Sequence, residues 1–276
     1  MLEKVDLTQK LSKEEYKRAL PYLQRRLYDL QKACWDHGIA SILVFEGWDA
    51  AGKGTTISTL ASRLDPRGFK LYPIQAPRTY ELNHPWLWRF WLKIPARGEM
   101  AIFDRSWYGR VLVERVEELT PESEWRKAYR DITEFERMLA DDGTVILKFW
   151  LHISKEEQKR RFKMLEKDPL ESWHVTPEDW EHHRKYDRYL VAVEEMLERT
   201  DTEWGPWIIV EATSRWFARK KVYDTIILTL ERQLGKDAPP LPEDSGWVLE
   251  EDEDEDKDEA LPHEKGEAEE EQGGEN

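Results

Sequence analysis

The chain reads as an α/β fold, a five-stranded parallel sheet with helices on both faces. Three observations predict it. Apolar runs near residues 39–45, 69–74, 100–104, 144–151 and 206–211 have the length of buried strands, and helical-period sequence separates them. The first run feeds a glycine-bounded turn and then a helix-forming segment. The third ends in Asp104. A parallel sheet puts both strand ends on one edge, where ligands of such sheets bind.

In chain order, Ser12 with Glu15 three residues on is a capping box that opens a helix over 11–37. Tyr16, Leu20, Leu23, Leu27 and Leu30 give it an apolar stripe, and Gly38 stops it. Pro21 is expected to kink or split it. The first strand, the turn and a helix over 55–64 follow. Asp65-Pro66-Arg67-Gly68 is a turn before the second strand. A loop over 75–83 leads into a helix rich in aromatics and bases: Trp86, Trp88, Arg89, Phe90, Trp91 and Lys93, ended by Pro95 and Gly98. Residues 121–140 carry Trp125, Tyr129, Ile132, Phe135 and Leu139 on one helical stripe. Between the last two strands lies a charged helical excursion over 154–199. It opens on a second capping box at Ser154, breaks at Asp168-Pro169 and resumes at Thr176-Pro177. A closing helix over 214–234 ends at Gly235 and a proline run. The expected organisation is a helical extension (1–38), the α/β domain (39–235) and a disordered acidic tail (236–276).

The charge is divided sharply. Of the 57 acidic and 42 basic residues, 17 and two lie beyond residue 242, so residues 1–242 hold 40 of each. The net −15 belongs to the tail, whose acidic run over 251–256 cannot bury apolar area. A neutral body with clustered bases still suits a polyanionic ligand. One cysteine, Cys34, allows no disulfide within the chain and fits a reducing cytoplasm. The first residues lack a signal-peptide core, and no window approaches the ~18 apolar residues of a membrane span. The 14 tryptophans, many beside Arg or Lys, read as core and amphipathic anchors.

Two motifs carry chemistry. In Gly47-Trp48-Asp49-Ala50-Ala51-Gly52-Lys53-Gly54-Thr55, glycines permit positive φ and close backbone approach to an anion. The helix start adds unpaired N–H donors, and Lys53 adds a full charge. The usual hydroxyl after the lysine is displaced: Gly54 stands there and Thr55 follows. Asp49 inside the loop would repel phosphates unless a cation lay between, so it predicts magnesium. The competing reading is a glycine-rich turn with a chance lysine. The second motif, Asp104-Arg105-Ser106-Trp107-Tyr108-Gly109-Arg110, places a carboxylate at a strand end with two arginines suited to bidentate phosphate contact. Its competing reading is a charged surface turn. Arg160 and Arg161 in the excursion are placed as a lid closing over a transferred group, against the alternative of a solvated charged face. His84, His152, His174, His182 and His183 lack metal-ligand spacing and read as structural or surface residues.

The loop from Gly47 to Gly54, the run Phe103-Asp104-Arg105-Ser106-Trp107-Tyr108 and the excursion together resemble the polyphosphate kinase 2 family over about residues 12–235. The resemblance implies a phosphate-loop kinase fold with a helical lid. It also implies magnesium-dependent phosphoryl transfer from inorganic polyphosphate to a nucleotide. By similarity, Asp49 and Asp104 would hold metal. Lys53 would contact phosphate, and Arg105 with the lid arginines would line the polyphosphate path. His84-Pro85-Trp86-Leu87-Trp88-Arg89-Phe90-Trp91, Phe103 through Arg110, and Asp168-Pro169 through Trp180 are similar to the branch that phosphorylates AMP. In that branch the unit is often one half of a doubled chain. Gln75 stands where other members carry a base.

The expected site therefore comprises Asp49, Lys53, Asp104 and Arg105 as catalytic groups. Gly47, Ala51, Gly52, Gly54, Thr55, Arg110, Arg160 and Arg161 join Lys53 and Arg105 in phosphate or nucleotide binding. The expected partners are inorganic polyphosphate, AMP or ADP and a second copy of the chain, with no nucleic acid and no membrane. The alternatives are a polyphosphate-dependent kinase of ADP or other nucleoside diphosphates, an ATP-dependent nucleoside monophosphate kinase, and a non-catalytic sensor.

Overall fold

The computed structural model describes residues 2–241. Residues 236–241 fall within the expected tail, yet Arg26 donates to the carbonyls of Pro239 and Pro240. The remainder of that tail lies outside the described residues.

The helix α1 (Lys13–His37) has its capping box at Ser12 and Glu15 and ends on Gly38 in the left-handed conformation. It runs unbroken through Pro21, contrary to the expected split. Packing supplies the reason: buried Leu20, Leu23 and Leu27 flank the proline, and burial of that stripe outweighs a missing backbone bond. Strand β1 (Ser41–Gly47) leads through the loop into α2 (Lys53–Ala61) and β2 (Phe69–Pro73). The expected aromatic helix is a single turn, α3 (Trp88–Trp91), because Pro85 and Pro95 bound the segment that could form it.

Strand β3 (Met100–Asp104) has the predicted bounds. A 3₁₀ turn (Trp107–Arg110) and the short α4 (Val113–Val116) precede α5 (Glu122–Asp141) and β4 (Val145–His152). The excursion comprises α6 (Lys155–Lys167), α7 (Pro177–Arg184) and α8 (Tyr186–Thr200). Strand β5 (Trp207–Glu211) and α9 (Arg215–Leu234) complete the fold.

All five strands are parallel, in the order β2-β3-β1-β4-β5. The central β1 and β4 are buried on both faces, which is why they read as continuous apolar runs. From β1 the chain crosses to the edge strand β2 and then fills the gap with β3, next to β1. It then returns to the other flank for β4 and β5. The loop after β1 therefore sits at the switch point, where parallel sheets open a crevice. Helix α9 packs on β4 and β5 with α1 and α2 against it. Helix α5 packs on β4 with α4 and α8. No helix among the described residues is long and apolar enough to cross a membrane.

Candidate active site

The loop is gripped from three sides. Gly47 has φ 149°, and a Cβ there would meet the Leu151 carbonyl oxygen at 2.5 Å, so β1 and β4 meet here as only glycine permits. Trp48 stacks on Tyr186 at 3.9 Å, and its Nε1 donates to His152 Nδ1 at 3.0 Å. Burial pushes the His152 imidazole down to about 4, consistent with a neutral ring that accepts this bond. From α6, Gln158 donates to the Asp49 carbonyl and Arg161 to the Ala50 carbonyl.

Lys53 opens α2 but folds back. Its Nζ donates to the carbonyls of Gly47 and Trp48, both at 2.9 Å, with the side chain buried. Burial lowers the Lys53 ammonium, while Asp49, Asp104 and Glu46 oppose that shift. The same groups therefore surround one cation. Gly52 is left-handed and caps the helix, and the first-turn amides of α2 are the unpaired donors of a helix start. Ala51 is buried with its N–H turned to the Trp48 carbonyl, and the Thr55 hydroxyl donates to the Gly52 carbonyl.

Asp104 ends β3 opposite Phe45 of β1 and Pro73 of β2. The next residue, Arg105, has φ 62°, a conformation that costs a non-glycine residue about 1–3 kcal/mol and persists only where surroundings enforce it. Its N–H donates to the Phe45 carbonyl at 3.0 Å, and its guanidinium reaches Asp49 Oδ1 at 2.8 Å. The two sequence motifs are thus joined directly.

Burial alone would raise the Asp49 carboxyl. His182, Lys53 and Arg105 outweigh it and hold the group well below the usual carboxylate range. The Asp104 carboxylate accepts no hydrogen bond among the described residues. It shares the field of Lys53 with Asp49.

Not every expected residue converges here. Arg161 is largely committed to structure: it binds Glu157 and the carbonyls of Ala50, Ala212 and Thr213. Arg160 is exposed and pairs with Glu157. Arg110 pairs with Glu114 and Thr120 beside Trp86, lining a neighbouring cleft with Arg89 and His84.

Two residues were missed by sequence reasoning. His182 of α7, read as structural or surface, lies 3.4 Å from Asp49 Oδ2, and this contact raises its pKa. Glu46, buried before Gly47, accepts from Ser106 Oγ at 2.8 Å, and burial pushes its carboxyl up. A charged residue ending an apolar strand was the available signal for Glu46. None marked His182, which reaches Asp49 across 133 positions. A cleft opens beside these groups, with Asp49, Arg105 and His182 at its polar end and Leu112, Val113 and Val193 on its walls.

Among the described residues no group of three or more His, Cys, Asp and Glu side chains could hold a metal on its own. Asp49 and Asp104 still fit magnesium, which is held by one or two carboxylates with substrate phosphates and water completing its shell.

Residues 10–238 match the sequence profile of polyphosphate kinase 2. The polyphosphate:AMP phosphotransferase of Pseudomonas syringae pv. tomato is 46% identical over 237 residues, covering 86% of this chain and 48% of that protein. The chain therefore spans about half the length of that relative. The AMP/ADP-polyphosphate phosphotransferase of Meiothermus ruber is 41% identical over 214 residues, 77% of this chain and 80% of that one. The crystal structure of polyphosphate kinase 2 from Arthrobacter aurescens TC1 superposes with TM-score 0.81 at 32% identity, covering 90% and 89% of the two chains. The motifs, the strand order and these matches agree, and the chain belongs to the polyphosphate kinase 2 family.

Proposed function

We propose that the chain transfers a phosphoryl group from inorganic polyphosphate to AMP, giving ADP. The observation that carries this reading is the Arg105–Asp49 contact at 2.8 Å beside buried Lys53, which gathers both motifs at the switch point of the sheet. The 46% relative is named for AMP as acceptor, while AMP/ADP appears in a name at 41%.

Phosphoryl transfer spreads charge over equatorial oxygens, so the protein's contribution is positioning and electrostatic stabilisation. The amides of α2 and Lys53 bind phosphate oxygens, and Arg105 neutralises developing charge. Asp49 and Asp104 would hold magnesium, which when bound would supply charge neutralisation at the phosphates. Helices α6 to α8 act as a lid that excludes water and suppresses hydrolysis. Arg110 and Arg160 line the path of the polyanionic donor. Magnesium, a cytoplasmic setting and a homo-oligomer belong to this same reading.

The test is a donor-by-acceptor matrix. AMP with polyphosphate, magnesium and no ATP yields ADP if the proposal holds. ADP formation that depends strictly on ATP assigns the chain to nucleoside monophosphate kinases instead. Phosphorylation of ADP but not AMP corrects the acceptor.

A further inference from the structure

Away from the cleft, the chain buries a complete ion pair. Lys148, in the middle of β4, and Glu136, on α5, are both 0% exposed, with Nζ to Oε2 at 2.8 Å. The network they anchor is saturated. The Lys148 ammonium donates its other two protons to Tyr108 Oη at 2.9 Å and to the Thr200 carbonyl at 2.7 Å. Glu136 Oε1 accepts from Tyr108 Oη at 2.7 Å and from Trp107 Nε1 at 3.0 Å. Replacing a buried ion pair by apolar residues is often neutral or stabilising, so stability alone gives a weak reason for this one.

Its placement gives a stronger reason. Trp107 and Tyr108 directly follow Arg105 and Ser106. Arg105 holds a left-handed conformation, which must be enforced from both sides. On its N-terminal side the β3 ladder fixes Asp104. On its C-terminal side Ser106 is tied to Glu46, and the next two side chains end on Glu136 and Lys148. The Thr200 carbonyl terminates α8, so the last helix of the excursion is tied to the same lysine.

We propose that Lys148, Glu136 and Tyr108 are positioning residues: their buried network holds Arg105 left-handed and so aims its guanidinium at Asp49 and the transferred group. This rests on the phosphotransfer reading of Arg105.

The test uses the full chain with Tyr108→Phe, which keeps the ring and removes the hydroxyl, and a second variant, Lys148→Met with Glu136→Gln, which removes both charges together. Two readouts separate positioning from bulk stability. Amide exchange at 104–108 is expected to quicken roughly tenfold, the scale of one lost hydrogen bond, while β1 and β4 stay protected. The kcat for AMP with polyphosphate falls about tenfold with KM for AMP unchanged, and Tyr108→Phe adds no further loss in an Arg105→Ala background. Unchanged exchange at 104–108, exchange that quickens throughout the sheet, or fully additive losses with Arg105→Ala would overturn the proposal. The exchange readout does not depend on turnover. A chain that leaves AMP unphosphorylated but shows the localised change refutes the proposed activity and leaves the network standing.

Discussion

Gly47→Ala and Gly54→Ala change the same loop by one methyl group each, and the structure assigns them opposite signs. At Gly47 the new Cβ would sit 2.5 Å from the Leu151 carbonyl oxygen and 2.9 Å from its N and Cβ. These are atoms of a central strand paired on both sides, so no side-chain rotation relieves the clash. Overpacking of this kind costs about 1–3 kcal/mol. The φ of 149° lies where essentially only glycine is found, adding about 1–3 kcal/mol of backbone strain. The sum, roughly 2–6 kcal/mol, is a large share of the ~5–15 kcal/mol that stabilises a domain. At about 2–4 °C per kcal/mol for a chain of this size, Tm falls by ~4–24 °C. At Gly54 no atom lies within 4 Å of the new methyl, and the residue is helical. Alanine there is expected to stabilise by roughly 0.5–1 kcal/mol through helix propensity and a restricted unfolded chain. Urea unfolding of both variants beside the parent decides the matter. If Gly47→Ala lies within ~0.5 kcal/mol of the parent, or Gly54→Ala is the more damaging, the account of how the loop is seated is wrong.

Asp49→Asn and Asp104→Asn are each expected to lower kcat at least ~100-fold, the scale of losing one preorganised electrostatic element; near-normal turnover in either removes it from the metal assignment. Arg161→Ala should cost about 2–3 kcal/mol of stability, because it leaves partly buried carbonyls and Glu157 without their charged donor, whereas exposed Arg160→Ala should cost less than ~1 kcal/mol. The His152 pKa, about 4 when folded, lies below the ~6.5 of an unfolded histidine. The unfolded chain therefore binds more protons between these values, and stability is lost as pH falls from ~6.5 to ~4, by about 3 kcal/mol in total. His152→Gln should remove that part of the slope. Urea midpoints measured across this window check it, and parallel curves for the two proteins would contradict it.

The features most legible in sequence were those that local chemistry dictates. Strand β3 was placed to the residue because four buried apolar positions end abruptly in Asp104. The loop was legible because its glycines, lysine and flanking strand and helix are contiguous. Pro21, expected to kink or split α1, does not split it, because tertiary burial of Leu20, Leu23 and Leu27 overrides the missing backbone bond. The aromatic helix was overestimated because helix-compatible residues lay between two prolines that allow only one turn.

Long-range pairing was the least legible. Glu136 continues the buried stripe of Trp125, Tyr129 and Ile132, and Lys148 interrupts an apolar strand. Each signals a buried partner, and only the fold shows that they find each other. The same holds for Arg161: a basic helix is visible in sequence, but which arginine grips the loop depends on how α6 packs. His182 reaches Asp49 only because α7 returns over the strand ends.

The decisive assay is ADP formation from AMP with polyphosphate and magnesium in the rigorous absence of ATP, comparing the parent with Arg105→Ala. A phosphotransferase that relies on Arg105 gives robust ADP production by the parent and a loss of at least ~100-fold in the variant. No ADP without added ATP, or equal production by both proteins, would contradict it.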